Sequence, residues 1–267
     1  MSVTRAAPSG RLVTPQWLVP DWPAPPTVRA LSTLRVGGAS RPPYASLNLG
    51  DHVGDAAMAI AKNRRSLREA AGLPVEPFWL SQVHGIRVAD LDLEADSAAA
   101  ADAAITRQAG RVCAILTADC LPILLASESG DRVAAAHAGW RGLAGGVIEA
   151  TVKALGCPPR ELLVWLGPAI GPRHFEIGAE VREELLRSET AGGGDPSAAA
   201  AFQPNDRGRF MADLYALAKG RLRRLGVERI YGGGECTYAD ADKYFSHRRD
   251  GTTGRQASLI WLERKNT

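Results

Sequence analysis

The chain has 267 residues, of which 45% are hydrophobic and 23% charged, and its formal net charge is +3. This composition is ordinary for a soluble globular protein with one large domain or two small ones. Its lysine and arginine residues are scattered apart from short clusters, which argues against a dedicated nucleic-acid surface, and no apolar run reaches the length of a membrane span.

The N-terminus and the cysteines indicate the compartment. The segment "MSVTRAAPSGRLVTPQW" lacks the apolar core of a secretory signal, so we expect a cytoplasmic protein. The four cysteines, Cys113, Cys120, Cys157 and Cys236, show neither CxxC spacing nor a disulfide framework. In a reducing cytosol they should be thiols, available for packing, metal binding or catalysis.

The N-terminal half begins with a proline-rich lead-in. Residues 1–27 end in "PDWPAPP", and we expect a poorly ordered tail followed by an extended segment. The alternation in "VRALSTLRVGG" predicts a strand that breaks at Gly37, and a loop follows. We predict a helix over about 56–71 that ends at Gly72 and a strand in "PFWLSQVHG", whereas the pattern leaves the state of the Ala-rich "DSAAAADAAIT" open.

The second half mixes apolar strands with helices. The segments "RVCAILTADC" and "LPILLASESGDRVAAAHAG" are nearly continuous in small and branched apolar residues, which predicts buried strands. We then predict helices over about 143–155, in "AEVREELLRSE" and in "MADLYALAKGRLRRLG", strands in "ELLVWLGPAIGP", "VERIYGGG" and "QASLIWLE", and a flexible surface loop in "TAGGGDPSAAAA". Because strands and helices mix without a regular βαβ rhythm, we expect an α/β (α+β) fold with mixed sheets covered by helices.

Two of the buried strands form a predicted hairpin that brings a thiol to an imidazole. The strands "LPILLAS" and "RVAAAH" are joined by the turn-forming "ESGD". A turn centred between Glu128 and Ser129 pairs Cys120 with His137, with Cβ atoms roughly 5 Å apart on one face of the sheet. Such a pair could ligate a metal, could form an activated nucleophile, or could be a buried cysteine that faces a hydrogen-bonded histidine.

Neighbouring residues favour a chemical role for this pair. Asp119 adds a carboxylate beside the thiol, and Arg141 in "HAGWRG" adds a cation just past the imidazole, near the start of a helix. His84 in "SQVHG" ends another predicted strand at a glycine turn. These two histidines and the cysteine supply three ligands, and three ligands with one open position are typical of catalytic zinc.

The chain resembles the YfiH/DUF152 family from about residue 31 to its C-terminus. The resemblance rests on motifs that occur in the family's order: "SLNLGDHVGD", "NRRSL", "SQVHG", "TADCLP", "HAGWRG", "GPAIGP", "CTY" and "FSHRRDGTTGR". That family is described variously as laccase-domain protein, polyphenol oxidase, purine nucleoside phosphorylase and peptidoglycan editing factor. The resemblance implies a zinc site of His84, Cys120 and His137. It also implies a layered α/β/β/α sandwich in which residues 28–267 form a single catalytic domain.

The resemblance implies a zinc-dependent enzyme whose small-molecule partners are a purine nucleoside and phosphate. It would phosphorolyse adenosine, inosine or methylthioadenosine and deaminate adenosine. A cysteine-dependent hydrolase that edits a peptidoglycan precursor is the first alternative, with Cys120 as nucleophile and His137 as base.

Two further alternatives give the metal another role. A copper polyphenol oxidase is disfavoured because five histidines are too few for a multicopper centre, although the three ligands also suit copper. A partner-binding protein with structural zinc would normally need a fourth protein ligand.

Polar residues in these motifs are candidates for catalysis and substrate binding. Arg141 could hold phosphate through two parallel hydrogen bonds, and Asp119 or Asp102 could orient a metal-bound imidazole. The glycines at 232–234 lack the Lys-Ser/Thr of a P-loop, and Cys236 is interpreted as a packing residue. The predicted catalytic residues are Cys120, His137, Asp119 and Arg141, and the predicted substrate-binding residues are Arg35, Asn48, Gln82, Arg248 and Arg249.

Overall fold

The computed structural model describes residues 14–94, 100–190 and 196–263, which form a layered arrangement of mixed sheets and helices. With strands numbered in chain order, the larger sheet contains, in spatial order, β13 (Arg229–Gly232), β9 (Leu162–Leu166), β7 (Leu121–Ser127), β8 (Val133–Ala138), β5 (Ala103–Thr106) and β4 (Val88–Asp90). A second sheet contains β1 (Trp17–Leu18), β2 (Val28–Thr33), β14 (Gln256–Leu262), β6 (Val112–Thr117) and β3 (Phe78–Trp79). A small sheet contains β10 (Glu176–Ile177), β12 (Phe210–Ala212) and β11 (Phe202–Pro204).

Helices cover the outer faces of the two large sheets. Helix α1 (Ala57–Ala70) packs on the second sheet through Leu67. On the larger sheet lie α2 (Trp140–Gly145), α3 (Val147–Leu155) and α5 (Leu214–Arg224). The remaining helical elements are α4 (Ala179–Thr190), α6 (His247–Asp250) and the 3₁₀ turns Pro159–Glu161 and Pro196–Ala201. The predicted α/β/β/α sandwich with mixed sheets is confirmed.

The side chains of β7 alternate between two apolar layers. Leu121, Ile123 and Leu125 pack against the helices, whereas Leu124 and Ala126 pack against the second sheet. A strand covered on both faces needs apolar residues at every position, which explains its unbroken apolar sequence. The predicted buried strands are therefore confirmed.

The register of the β7–β8 hairpin differs from the predicted one by two residues. His137 pairs with Pro122 rather than with Cys120. The turn lies one residue later than predicted, because Ser127 closes it by donating its N–H to the carbonyl of Arg132 and Gly130 donates back to Ser127. A shift of two residues preserves the face on which side chains project. Cys120 therefore lies just before β7 and still reaches the imidazole side.

Two predicted helices differ at their N-terminal ends. The helix predicted over about 143–155 is divided at Gly146, whose φ of 98° is readily adopted only by glycine, and it begins earlier, at Trp140. The helix predicted in "MADLYALAKGRLRRLG" begins at Leu214, because the side chain of Asp213 caps it by accepting the N–H of Ala216. The residues before this cap form strand β12 instead.

Three low-complexity segments lie partly outside the described residues. They are residues 1–13 of the lead-in, 96–99 of the Ala-rich stretch and 191–195 of the predicted flexible loop. Within the described part of the lead-in, β1 pairs with β2 in antiparallel register. The prediction of a flexible loop is wrong for residues 196–201, which form a 3₁₀ turn with Ala201 in the core. Among the described residues, no helix combines the length and apolar character needed to cross a bilayer.

Truncation of Leu67 tests the attachment of α1 to the second sheet. Leu67 is fully buried on α1, whereas Met58 on the same helix is 87% exposed. We expect Leu67→Ala to lower the free energy of unfolding by about 2–5 kcal/mol, because it leaves a cavity in the core. Met58→Ala should change it by less than about 0.5 kcal/mol. Urea unfolding followed by circular dichroism measures both, and equal effects of the two variants would contradict this packing.

Candidate metal centre

The structure brings together the three predicted metal ligands from separate parts of the chain. His84 lies in the loop after β3, Cys120 precedes β7, and His137 lies in β8. Their ligand atoms all lie within 4.8 Å of one another, and Cys120 Sγ is 3.9 Å from His84 Nε2. The two imidazole rings meet edge to face, with centroids 4.8 Å apart. This donor set can hold a metal ion with tetrahedral preference and leave one position open.

A buried carboxylate orients His137. Asp102 Oδ1 lies 2.8 Å from His137 Nδ1, and both side chains are buried. A hydrogen bond in which Nδ1 donates leaves the lone pair of Nε2 free for a metal. The same carboxylate accepts the backbone N–H groups of His84 at 2.9 Å and Gly85 at 2.7 Å. Asp102 therefore positions both histidines, one through its ring and the other through its backbone.

The residues after His137 leave room for the thiol. A Cβ atom at Gly139 would lie 2.9 Å from Cys120 Sγ and 3.2 Å from His84 Cδ2. Any side chain at this position would displace one of the candidate ligands, so the site requires glycine as the last residue of "HAG". Helix α2 starts at the next residue, Trp140, and places the exposed guanidinium of Arg141 4.4 Å over the Trp140 ring.

Charge interactions among these side chains favour a thiolate at Cys120. Burial raises the pKa of the Cys120 thiol, but the charge and hydrogen bond of His137 and the hydrogen bond of His84 more than offset this and lower it to about 6. Burial lowers the pKa of His137, whereas the Cys120 thiolate and the Asp102 carboxylate together raise it to about 9. Burial raises the pKa of Asp102, and its hydrogen bonds with His137 and backbone N–H groups bring it below its ordinary value. The thiolate is the form that binds metals.

Asp119 contacts other loops. Its carboxylate accepts the Thr237 hydroxyl at 2.7 Å and the backbone N–H of Arg248 at 2.6 Å. Of the two carboxylates weighed from the sequence as partners of an imidazole, Asp102 makes that contact. A catalytic role for Asp119 stays a prediction.

Four predicted substrate-binding residues direct their polar groups at the backbone. Gln82 bonds the N–H and the carbonyl of Leu116 on β6. Asn48 is buried and bonds both backbone groups of Gly50. The guanidinium of Arg35 donates to the carbonyls of residues 45, 241 and 244, and that of Arg249 donates to those of 237, 238 and 244. These contacts are structural, and substrate binding by these side chains stays a prediction.

Arg248 and Arg255 interact with the segment that carries Cys120. Arg248 is exposed, and its backbone N–H binds the carboxylate next to Cys120. Burial lowers the pKa of Arg255, whereas the charges of Cys120 and Asp119 act on it in the opposite direction. A Cβ atom at Gly50 would lie 2.8 Å from Arg255 Cγ, so a side chain at residue 50 would displace the arginine. Sequence reasoning missed Arg255, although it ends the motif "DGTTGR".

The chain matches known proteins over most of its length. Residues 29–263 match the family model described as multi-copper polyphenol oxidoreductase laccase. A purine nucleoside phosphorylase of Pseudomonas aeruginosa is 53% identical over 248 residues, which cover 92% of this chain and 98% of the relative. The purine nucleoside phosphorylase YfiH of Escherichia coli is 51% identical over 246 residues, with 92% and 98% coverage.

Solved structures share the fold. A Neisseria meningitidis DUF152 protein superposes with a TM-score of 0.86 at 46% identity, covering 93% of this chain and 99% of that protein. YlmD from Geobacillus stearothermophilus superposes with a TM-score of 0.83 at 32% identity, covering 93% and 96%. With its motifs, its fold and this similarity in agreement, the chain belongs to the YfiH/DUF152 family, whose family model carries the laccase description.

Proposed function

We propose that this chain is a zinc-dependent purine nucleoside phosphorylase that acts on adenosine, inosine or methylthioadenosine and also deaminates adenosine. The observation that carries the proposal is the convergence of His84, Cys120 and His137 into a three-ligand site. The names of relatives that are 53% and 51% identical to this chain support the substrate class.

The donor set fits zinc. One thiolate and two imidazoles are ligands that zinc takes in catalytic sites, where three protein ligands leave a position for water or substrate. His84 is exposed and Cys120 only partly buried, so the open side of the site faces solvent. When bound, zinc supplies a Lewis acid that stabilises negative charge developing on a reacting group.

The protein's own groups bind and orient the reactants. Asp102 keeps the proton of His137 on Nδ1 and thereby fixes the direction of its ring. Arg141 presents an exposed guanidinium four residues after His137, where it can hold phosphate through two parallel hydrogen bonds. Arg255 adds a partly buried positive charge that acts on Cys120 and Asp119.

A cysteine-dependent hydrolase that edits a peptidoglycan precursor is the second candidate. Cys120, His137 and Asp102 are arranged in the order nucleophile, base and orienting carboxylate, as in hydrolases with a covalent intermediate. Metal content discriminates between the candidates. Stoichiometric metal that blocks alkylation of Cys120 supports the phosphorylase, whereas rapid alkylation of active, metal-free enzyme supports the hydrolase.

The main test combines metal analysis with a nucleoside screen. We expect the purified protein to contain stoichiometric zinc and to release free base from adenosine or inosine when phosphate is present. Cys120→Ala should lose both the zinc and the turnover, because it removes the thiolate ligand. Cys157→Ala is the matched control and should keep both, since Cys157 lies outside the ligand group. Full zinc and full activity in Cys120→Ala would refute the assignment, and phenol oxidation that requires copper would favour an oxidase.

A second prediction concerns Asp102. Asp102→Asn removes the carboxylate that orients His137 and binds the His84 loop, so zinc affinity should fall about 10–100-fold. Asp90→Asn makes the same chemical change at the end of β4, where the carboxylate pairs with Arg107 at the surface, and should leave the affinity unchanged. Competition with a chromogenic chelator measures both constants. Equal affinity of the two variants would show that Asp102 does not support the metal centre.

A third prediction separates anion use from metal binding. Arg141→Ala should raise the KM for phosphate about tenfold or more, because charge-assisted hydrogen bonds are lost, while the zinc content stays unchanged. Arg65→Ala, an exposed arginine on α1, serves as the control. Steady-state phosphorolysis at varied phosphate gives the constants. An unchanged KM would remove Arg141 from the phosphate site.

A further inference from the structure

A cavity that contains none of the three candidate metal ligands lies at the end of the larger sheet. We call it the second cavity, to distinguish it from the candidate metal centre. The second cavity has a volume of about 880 Å³ and is walled by the loop after β9, the loop after β13 and helix α5. Strands β9 and β13 pair in parallel, so their carboxyl ends open at the same edge. Crevices beyond the carboxyl ends of parallel strands are common ligand sites, and this volume lies in the range of small-molecule pockets.

The charged groups of the wall are predominantly cationic. Lys219 and Arg223 lie one turn apart on α5, and neither side chain has an ion pair or hydrogen bond with a described residue. The carboxylates in the wall already have partners: Glu235 accepts the Tyr244 hydroxyl, and Asp213 caps its own helix. Arg173 and Arg224 also line the cavity. The balance of charge in the wall therefore favours an anion.

The glycines of the loop after β13 bring the backbone close to these cations. The position that a Cβ of Gly233 would occupy lies 3.5 Å from Lys219 Nζ. A Cβ at Gly234 would meet no atom within 4 Å, so this side of the loop is open. The N–H of Gly233 already donates to the carbonyl of Leu166 at 2.9 Å, so the N–H that this loop can offer to a phosphate oxygen is that of Gly234. The other side of the cavity is apolar, with Ala198, Ala201 and Leu217 in its wall.

Cys236 provides a chemical reporter in the same wall. Its Sγ accepts the backbone N–H of Gly171 at 3.2 Å and lies 3.4 Å from His174 Nδ1, whose ring stacks on Tyr238. The thiol lines the cavity and is partly exposed. Modification of Cys236 therefore reports whether the cavity is filled.

We propose that this cavity binds a small phosphate-bearing molecule. Lys219, Arg223 and the backbone N–H of Gly234 hold the phosphate, and the organic body lies along the apolar wall. The cavity shares no residue with the candidate metal centre. Evidence against the proposed catalytic function would therefore not contradict this binding site.

The test measures the binding of adenosine 5′-monophosphate to the purified full chain by calorimetry. In parallel, mass spectrometry follows the rate at which iodoacetamide labels Cys236. We expect adenosine 5′-monophosphate, and inorganic phosphate at higher concentration, to slow the labelling, and adenosine to leave it unchanged. The double variant Lys219→Ala/Arg223→Ala should bind the nucleotide at least about tenfold more weakly, because charge-assisted hydrogen bonds are lost. Lys62→Ala on α1 is the matched control.

A steric variant keeps the proposal falsifiable if the charge variants affect folding. Gly234→Phe meets no atom at its Cβ, so it should keep the fold and the zinc while blocking the cavity and nucleotide binding. If nucleotide binding survives in both this variant and the double variant but disappears in Cys120→Ala, the ligand occupies the metal centre and the proposal is wrong. Protection of Cys236 by adenosine equal to that by the nucleotide would also overturn it, as would the absence of any nucleotide binding.

Discussion

The buried carboxylate of Asp102 is the constraint on which the candidate metal centre depends. A buried charge is costly unless hydrogen bonds satisfy it. Asp102 meets this condition with the imidazole of His137 and the N–H groups of Val83, His84 and Gly85. These partners come from β8 and from the loop after β3, so the carboxylate cannot be satisfied unless the two segments meet. The same contacts that remove its desolvation cost also bring two ligands together.

The sequence predicts the layers well because burial leaves a direct signature. Strands covered on both faces need apolar residues throughout, and β6, β7 and β8 show this pattern. Boundaries set by local turns and caps are harder to predict. The closing contact at Ser127 moves the hairpin register, and Gly146 and Asp213 reset the starts of two helices. These features depend on single backbone angles or caps, which periodicity does not detect.

The candidate site, like the fold, can be predicted from the sequence only in part. His84, Cys120 and His137 are recognisable because rare residue types stand near strand ends beside loops. Asp102 follows an Ala-rich stretch, and its role appears only when segments remote in sequence meet. Conversely, Arg35 resembles a ligand-binding residue by type and motif, but its guanidinium binds backbone carbonyls. Residue type indicates which hydrogen bonds a side chain can make, and only the fold decides which partners it finds.

A second set of contacts fixes the backbone next to Cys120. Its neighbour Asp119 accepts the N–H of Ile170 at its carbonyl and the hydroxyl of Thr237 at its carboxylate. Those partners belong to the loops after β9 and β13, which also wall the second cavity. The Asp102 network therefore fixes the two histidines, and the Asp119 contacts fix the residue before Cys120. Because both anchors are made by the protein alone, the three candidate ligands are arranged without an ion, and this arrangement would reduce the ordering that metal binding must impose.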